Sequence, residues 1–363
     1  MIRVLQIVTY MGRGGLETMI MNYYRNIDRN KVQFDFLVHR QEEADYDKEI
    51  LSLGGHIYRM PMLNPFSKSY FNALDSFFKT HMYDIVHSHL DCMSAYPLKI
   101  AKKNGVKIRI AHSHNKGQDK NLKYPIKLYS KRLIPKYATH LFSCGKEAGD
   151  WMFNGKPYTI LNNAIDAMIY RYNQKIQNEI RNSLDINHSD FVVGHVGRFN
   201  PPKNHGFIID VFNEIYKKNN KAKLILVGTG NGQQEIINKV NNLGLTDNVL
   251  FLGNRSDVNR VLQAMDVFLF PSLYEGLPLS IVEAQAAGLP CVISDNVPPE
   301  CIKTDRVFHY SLEKPLDFWA NKIIEAAQIE KKDTYDEIVA SGFDIKNNAN
   351  KLQNFYTSFC YGE

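Results

Sequence analysis

The sequence predicts an α/β protein of two doubly wound, Rossmann-like domains. Its 363 residues are about twice the length of one typical domain. Short, nearly unbroken apolar runs alternate along the whole chain with segments whose apolar residues recur at three- and four-residue steps. Strands apolar on both faces and spaced by helices belong to parallel sheets covered on both sides. The ligands of such sheets bind beyond the carboxyl ends of the strands.

In the first half, strands are read at IRVLQIVTY (from Ile2), FDFLVH (from Phe34), DIVHSH (from Asp84), KIRIAHSH (from Lys107) and HLFSCG (from His140). In the second half they are FVVGHVGR (from Phe191), KLILVGTG (from Lys223), VLFLG (from Val249), DVFLFPS (from Asp266) and PCVISD (from Pro290). HGFIIDVFNEIYKK, from His205, typifies the amphipathic helices between them. Polar residues interrupt the pattern at Asn162–Gln177, which places the domains at 1–165 and 166–344. A closing helix around Ile345–Phe359 carries Ile345, Ala349, Leu352, Phe355 and Phe359 on one stripe, and the segment 345–363 is a candidate to pack back on the first domain.

Hydrophobic content of 44% and charged content of 23% are ordinary for a globular protein. The five cysteines (Cys92, Cys144, Cys291, Cys301, Cys360) show no CxxC or Cys/His spacing, so they read as reduced thiols of a cytoplasmic protein. No run approaches 18 apolar residues, and the N-terminus reads as a buried strand, not a signal peptide.

The net charge of +6 is unevenly spread: residues 1–165 hold 24 Lys/Arg against 14 Asp/Glu, and the remainder 20 against 24. An anionic partner of the first half (membrane surface, phosphate-bearing acceptor or nucleic acid) competes with a merely solvated basic face. Lys99–Lys136 alone holds 12 basic residues and one acid, Asp119. There Leu122, Ile126, Tyr129 and Leu133 fall on a helical stripe ringed by Lys123, Lys127, Lys131 and Arg132, with Pro125 near the helix start. Such a segment can lie on an anionic inner membrane face, or be the buried face of a covering helix. Nucleic acid is disfavoured, because no recognised nucleic-acid module accompanies the charge.

Glu275 and Glu283 flank a glycine-proline turn in LYEGLPLSIVEAQAAG. Pro278 reads as the first residue of a helix that ends before Gly288, so Glu275 precedes a helix N-terminus and Glu283 lies inside the helix. Two neighbouring carboxylates repel unless a ligand is shared between them, and the free N–H groups there favour a phosphate. In HVGRFNPPKN, Arg198 and Lys203 follow a strand on a loop stiffened by Pro201 and Pro202, suited to clamp a diphosphate or simply to form an exposed basic loop. Gly14 and Gly15 in MGRGGLE, and Gly228 and Gly230 in LILVGTGNG, permit close backbone approach to a ligand or a plain tight turn. Both stretches miss the last small residue of a dinucleotide fingerprint, with Glu17 and Gln233 in its place.

Strand alternation puts His87 with His89, and His112 with His114, on one face of their strands. A metal site, a substrate-contacting or acid–base role for His112 or His114, and a structural role are all open readings. No H-E-x-x-H occurs and no Asp-x-Asp directly follows a strand, so neither a metal nor another cofactor is expected.

Taken together, YEGLPLSIVEA resembles the E-x7-E motif of retaining glycosyltransferases of family 4, which have the GT-B fold of two Rossmann-like domains facing a central cleft. GRGGLE resembles their N-terminal glycine loop, VGRFNPPKN their G-R-x4-K donor-phosphate loop, and GFDIKNNANKLQNFY their closing segment. The likeness spans the chain in order and is similar to bacterial capsular and exopolysaccharide enzymes. It implies a nucleotide-sugar, with uridine the commonest base, held largely by the second domain. Glu283 would then bond the ribose hydroxyls, and Glu275 a sugar hydroxyl. The N–H groups of Gly276 and Leu277 would meet the diphosphate together with Arg198 and Lys203. Gly14 and Gly15 would approach the diphosphate and the acceptor, and the family histidine corresponds to His112 or His114.

The implied reaction retains anomeric configuration by front-face displacement, the leaving phosphate helping to deprotonate a hydroxyl of a glycan or polyprenyl-diphosphate-linked acceptor. Glu275 as covalent nucleophile is the alternative. Rival readings are a sugar-nucleotide epimerase of the same fold, a silent sugar-nucleotide binder and an NADP-dependent oxidoreductase. The two incomplete fingerprints weaken the last of these.

Overall fold

A computed structural model describes residues 1–115, 117 and 122–359. The chain divides into two compact units: residues 1–164 with the C-terminal segment from Ile345, and Ile165–Asp344.

In the first unit, strands β1 (Ile2–Val8), β2 (Val32–Val38), β3 (Ile57–Arg59), β4 (Ile85–Ser88), β5 (Ile108–Ser113), β6 (His140–Ser143) and β7 (Thr159–Ile160) pair in parallel, in the order β3-β2-β1-β4-β5-β6-β7. Alternate residues of β1 feed two cores, as a sheet covered on both faces requires. Val4 and Val8 pack with the helices Gly15–Asn26 and Ile345–Ser358, whereas Leu5 and Ile7 pack with Lys68–Thr80 and Ala95–Lys103.

The second unit repeats the plan with β8 (Phe191–Val196), β9 (Ala222–Val227), β10 (Val249–Phe251), β11 (Val267–Phe270), β12 (Cys291–Ser294) and β13 (Val307–Tyr310), in the order β10-β9-β8-β11-β12-β13. Val192 shares a buried cluster with Ile281 and Val282 of the helix Leu279–Ala286, and Val193 shares another with Phe212 and Trp319. Strand order reverses between β1 and β4, and again between β8 and β11, which opens a crevice at those carboxyl ends.

Strands β3, β7 and β13 escape the sequence reading. All three are edge strands of two to four residues with no fully buried position, so they lack the apolar run that marks a central strand.

Two helical stripes are corrected. In the helix Ile345–Ser358 the buried set continues through Tyr356, fully enclosed, and not to Phe359, which is 38% exposed. Tyr356 sits at the centre of the i, i+4, i+7, i+11 stripe, with Phe355 and Phe359 on its flank. In the helix Tyr124–Tyr137 the buried positions are Ser130 and Ile134, while Leu122 and Tyr129 are exposed. The stripe from Leu122 to Leu133 is therefore split: Leu133 packs against the core, whereas Tyr129, and Leu122 just before the helix, are exposed. Pro125 fits within the first turn, where its missing N–H costs nothing. Lys116, Asp119, Lys120 and Cys360 lie outside the described residues. No helix among the described residues is long and apolar enough to cross a membrane.

Candidate active site

Loops at the carboxyl ends of β8, β9 and β11 are bound to one another through their backbones. The Gly197 N–H donates to the Val227 carbonyl at 2.9 Å, Phe199 to Thr229 at 3.0 Å, and Leu273 to Pro202 at 2.8 Å. Gly228, at φ +133°, and Gly230 serve this packing: a Cβ would come within 2.2 Å of the Gly197 oxygen and 2.3 Å of the Phe199 oxygen respectively. These two glycines admit a neighbouring loop, and Gly228 also lines the cavity of about 280 Å³ that opens beside it, with Arg198, Thr229, Asn254 and Arg255 among others.

Gly15 and Gly276 behave differently. A Cβ at either would meet nothing within 4 Å, and neither needs positive φ. Packing does not demand glycine there, so space stands open beside both backbones. At Gly14, which caps the helix Gly15–Asn26, a Cβ would meet only the tip of the Glu17 side chain.

The two cations of the β8 loop differ as well. Arg198 is exposed, and its side chain makes no ion pair or hydrogen bond among the described residues, while its backbone carbonyl accepts from the Asn200 N–H at 2.8 Å. Lys203 ends a 3-10 turn, Pro201–Lys203, and its Nζ lies 2.6 Å from Glu275 Oε1 and 4.5 Å from the centre of the Phe270 ring. The Glu275 charge is thus met by a cation. Glu283 instead accepts from the Tyr170 hydroxyl at 2.9 Å; burial pushes its carboxyl above the ordinary value, and the Tyr170 bond opposes that rise. Pro278 proves to be the residue before the helix Leu279–Ala286, not its first member, and no side chain caps it. The N–H groups of Gly276 and Leu277 donate to no acceptor among the described residues.

In the first unit, β4 lies beside β5 and their ends bring four imidazoles together. His87 Nε2 is 3.1 Å from His112 Nδ1, and His89 Nδ1 is 2.9 Å from His114 Nε2. His87 Nδ1 meets the Tyr356 hydroxyl at 2.7 Å, and His89 Nε2 meets Gln6 Oε1 at 2.8 Å. His112 is 1% exposed; His114, one step past the strand, is half-buried, with its backbone N–H donated to Asp91 Oδ1 at 2.8 Å. Burial pushes His87, His89 and His112 well below the ordinary imidazole value and His114 down to about 3, so all four are neutral at pH 7. His87, His89 and His112 have ring nitrogens within 4.8 Å of one another, close enough to share a metal ion. The contacts above already engage a nitrogen of each with another imidazole.

Tyr170 and Gln6 join these sites without belonging to any of the motifs in the sequence, and Tyr356 joins them from the last position of GFDIKNNANKLQNFY. Tyr170 falls in the polar stretch read as a linker, where Tyr172 stands two residues on and nothing in the sequence singles it out. Gln6 interrupts the apolar run Val4–Val8 of its strand, which is a legible sign of a buried polar partner.

Residues 13–167 match the family model for Glycosyltransferase Family 4, and residues 176–335 that for Glycosyl transferases group 1. The chain is 35% identical to EpsF of Bacillus subtilis (strain 168), which bears the name of a glycosyltransferase, over 98% of this chain and 96% of EpsF. It is 26% identical, over 78% of each chain, to the UDP-Gal:alpha-D-GlcNAc-diphosphoundecaprenol alpha-1,3-galactosyltransferase of Escherichia coli. Anabaena Alr3699/HepE, solved in complex with UDP, superposes with a TM-score of 0.80 over 99% of this chain and 100% of that one, at 17% identity, a likeness of fold. With two parallel-sheet Rossmann-like units and this relationship over nearly its full length, the chain belongs to the family 4 glycosyltransferases of the GT-B fold.

Proposed function

We propose that the protein transfers a hexosyl or N-acetylhexosaminyl group, with retention of configuration, from a UDP-sugar to a hydroxyl of a glycan or polyprenyl-diphosphate-linked acceptor in bacterial surface polysaccharide synthesis. The observation that carries this reading is the arrangement around Glu275. A carboxylate held by Lys203 stands next to two unused backbone N–H groups and the open space at Gly276, with Arg198 unpaired on the adjoining loop. A diphosphate seated there would receive N–H donors and two cations, and these offset its charge without a metal. Glu275 would take a sugar hydroxyl and Glu283, steadied by Tyr170, the ribose. The UDP in the HepE complex and the UDP-Gal and diphosphoundecaprenol in the name of the Escherichia coli relative support the donor and acceptor classes.

In the proposed step the acceptor oxygen bonds to the anomeric carbon on the face that the phosphate leaves. The anomeric carbon–phosphate oxygen bond breaks, and the acceptor proton passes to the departing phosphate. The first unit would bind the acceptor, with Gly14 and Gly15 allowing close approach. His114 is assigned over His112 as the histidine that meets substrate, since His112 is enclosed. The exposed Tyr129 on a basic helix, and the exposed Leu122 in the turn before it, support peripheral attachment to an anionic inner membrane face, where a lipid-linked acceptor would reside. Mass spectrometry of products from a panel of nucleotide-sugars and lipid-linked acceptors tests the reading. A new glycoside with the donor's anomeric configuration is expected; transfer from no UDP-sugar, or with inversion, refutes it.

A further inference from the structure

We infer that Gln6 and His89 are positioning residues that hold His114 as one tautomer, protonated at Nε2 and bare at Nδ1, so that His114 meets substrate as a hydrogen-bond acceptor. Only the final clause rests on the proposed function. A neutral imidazole has one N–H donor and one lone-pair acceptor. The Gln6 amide sets its Oε1 at 2.8 Å from His89 Nε2 and leaves its own Nε2 buried without a hydrogen-bond partner; an oxygen in that place can only accept, so the proton of His89 lies on Nε2. His89 Nδ1 is then a lone pair, and the 2.9 Å contact with His114 Nε2 requires the proton there. His114 Nδ1, with no partner among the described residues, is what remains.

The geometry that sets this chain belongs to the fold. The β1–β4 register places Gln6 directly beside His87, and His89 is next on the same face. Asp91, in the left-handed region at φ +47°, accepts the His114 backbone N–H and anchors the residue. A parallel chain, Tyr356–His87–His112, ends instead at His112 Nε2, buried without a partner, and cannot present an atom to a ligand. Gln6 is the element that decides direction. Were its amide reversed, its NH2 group would donate to His89, every proton along the chain would shift, and His114 would become a donor at Nδ1. The strong depression of the His114 pKa by burial fits an acceptor that orients a hydroxyl, and not a base that removes its proton.

Nitrogen-15 NMR of the uniformly labelled full-length protein at pH 7 reads the tautomer directly, with the His114 signals identified by their loss in His114→Asn. Protonation at Nε2 alone is expected; protonation at Nδ1, or a mixture, overturns the inference. In Gln6→Met, close in volume but without the acceptor, His114 should become a mixture of tautomers and kcat should fall on the order of tenfold, the scale of one hydrogen bond. A single unchanged tautomer in Gln6→Met refutes the role of Gln6. A mixed tautomer with unaltered kcat leaves the chain of protons standing and removes His114 from the substrate. Transfer that fails with every UDP-sugar would remove the proposed function and not the tautomer.

Discussion

Lys203 Nζ and Glu275 Oε1 are joined at 2.6 Å across the loops that follow β8 and β11, with side chains only 17% and 12% exposed. Arg198, five residues before Lys203, is exposed and makes no such bond among the described residues. The two cations should therefore separate by mutation. Lys203→Ala should lower stability by about 1.5–3 kcal/mol, since it strands a mostly buried carboxylate. Arg198→Ala should leave the melting temperature in place and weaken UDP by a similar amount, with uridine barely affected. Calorimetry decides it: equal losses for UDP and uridine in Arg198→Ala would contradict a diphosphate contact.

The two glutamates should divide donor recognition. Glu283→Ala is expected to reduce the affinity for uridine and UDP alike, and Glu275→Ala to spare both while lowering turnover of the whole donor. Protonation of Glu283 removes an acceptor for the ribose hydroxyls, and burial raises its folded pKa above 4.5. Uridine affinity should thus decline as pH falls through that raised value, while Glu283→Gln responds flatly. Uridine is the right probe because it carries no phosphate of its own to titrate. A profile for the unmodified protein as flat as that of Glu283→Gln would remove Glu283 from the ribose.

Acid should unfold the first unit early. His87, His89, His112 and His114 are held neutral by burial, so the unfolded chain binds more protons than the folded one below about pH 6.5. Stability is complete above that value and is lost as pH drops, by about 1.4 kcal/mol per pH unit for each histidine. Melting curves from pH 7.5 to 5 should fall steeply, and His87→Gln should flatten the slope. A melting temperature indifferent to pH across this window would show that the rings are solvated.

Turnover should survive excess EDTA. Arg198, Lys203 and the N–H groups of Gly276 and Leu277 are assigned the diphosphate charge. Loss of activity in EDTA with recovery on adding magnesium or manganese would transfer that role to a cation.

Vesicle co-sedimentation examines the helix Tyr124–Tyr137. Binding should require anionic lipid, weaken with salt and drop when Lys123, Lys127 and Lys131 are changed to Glu, at about 1 kcal/mol per basic residue at the surface. Indifference to anionic vesicles at low salt would leave Leu122 and Tyr129 as isolated exposed apolar residues.

Periodicity and glycine placement in the sequence were enough for the central strands, because a strand buried on both faces must be apolar at every position, as in Val267–Phe270. They also located the loops of Gly14, Arg198 and Glu275, since strand ends in such sheets are where ligands bind. Edge strands such as Thr159–Ile160 left no such mark, being half solvated. Tertiary structure alone decided who meets whom. Nothing in the sequence pairs Lys203 with Glu275, 72 positions on; only the stitching of two loops joined them. Gly228 and Gly276 look alike in sequence, yet one is filled by a neighbouring backbone and the other faces open space. His112 and His114 are indistinguishable as letters. Strand register, which sets Gln6 by His87, and the step from strand to loop, which half-exposes His114, tell them apart. Contacts between residues 83 positions apart depend on how the sheet is ordered, and local pattern carries no information about that order.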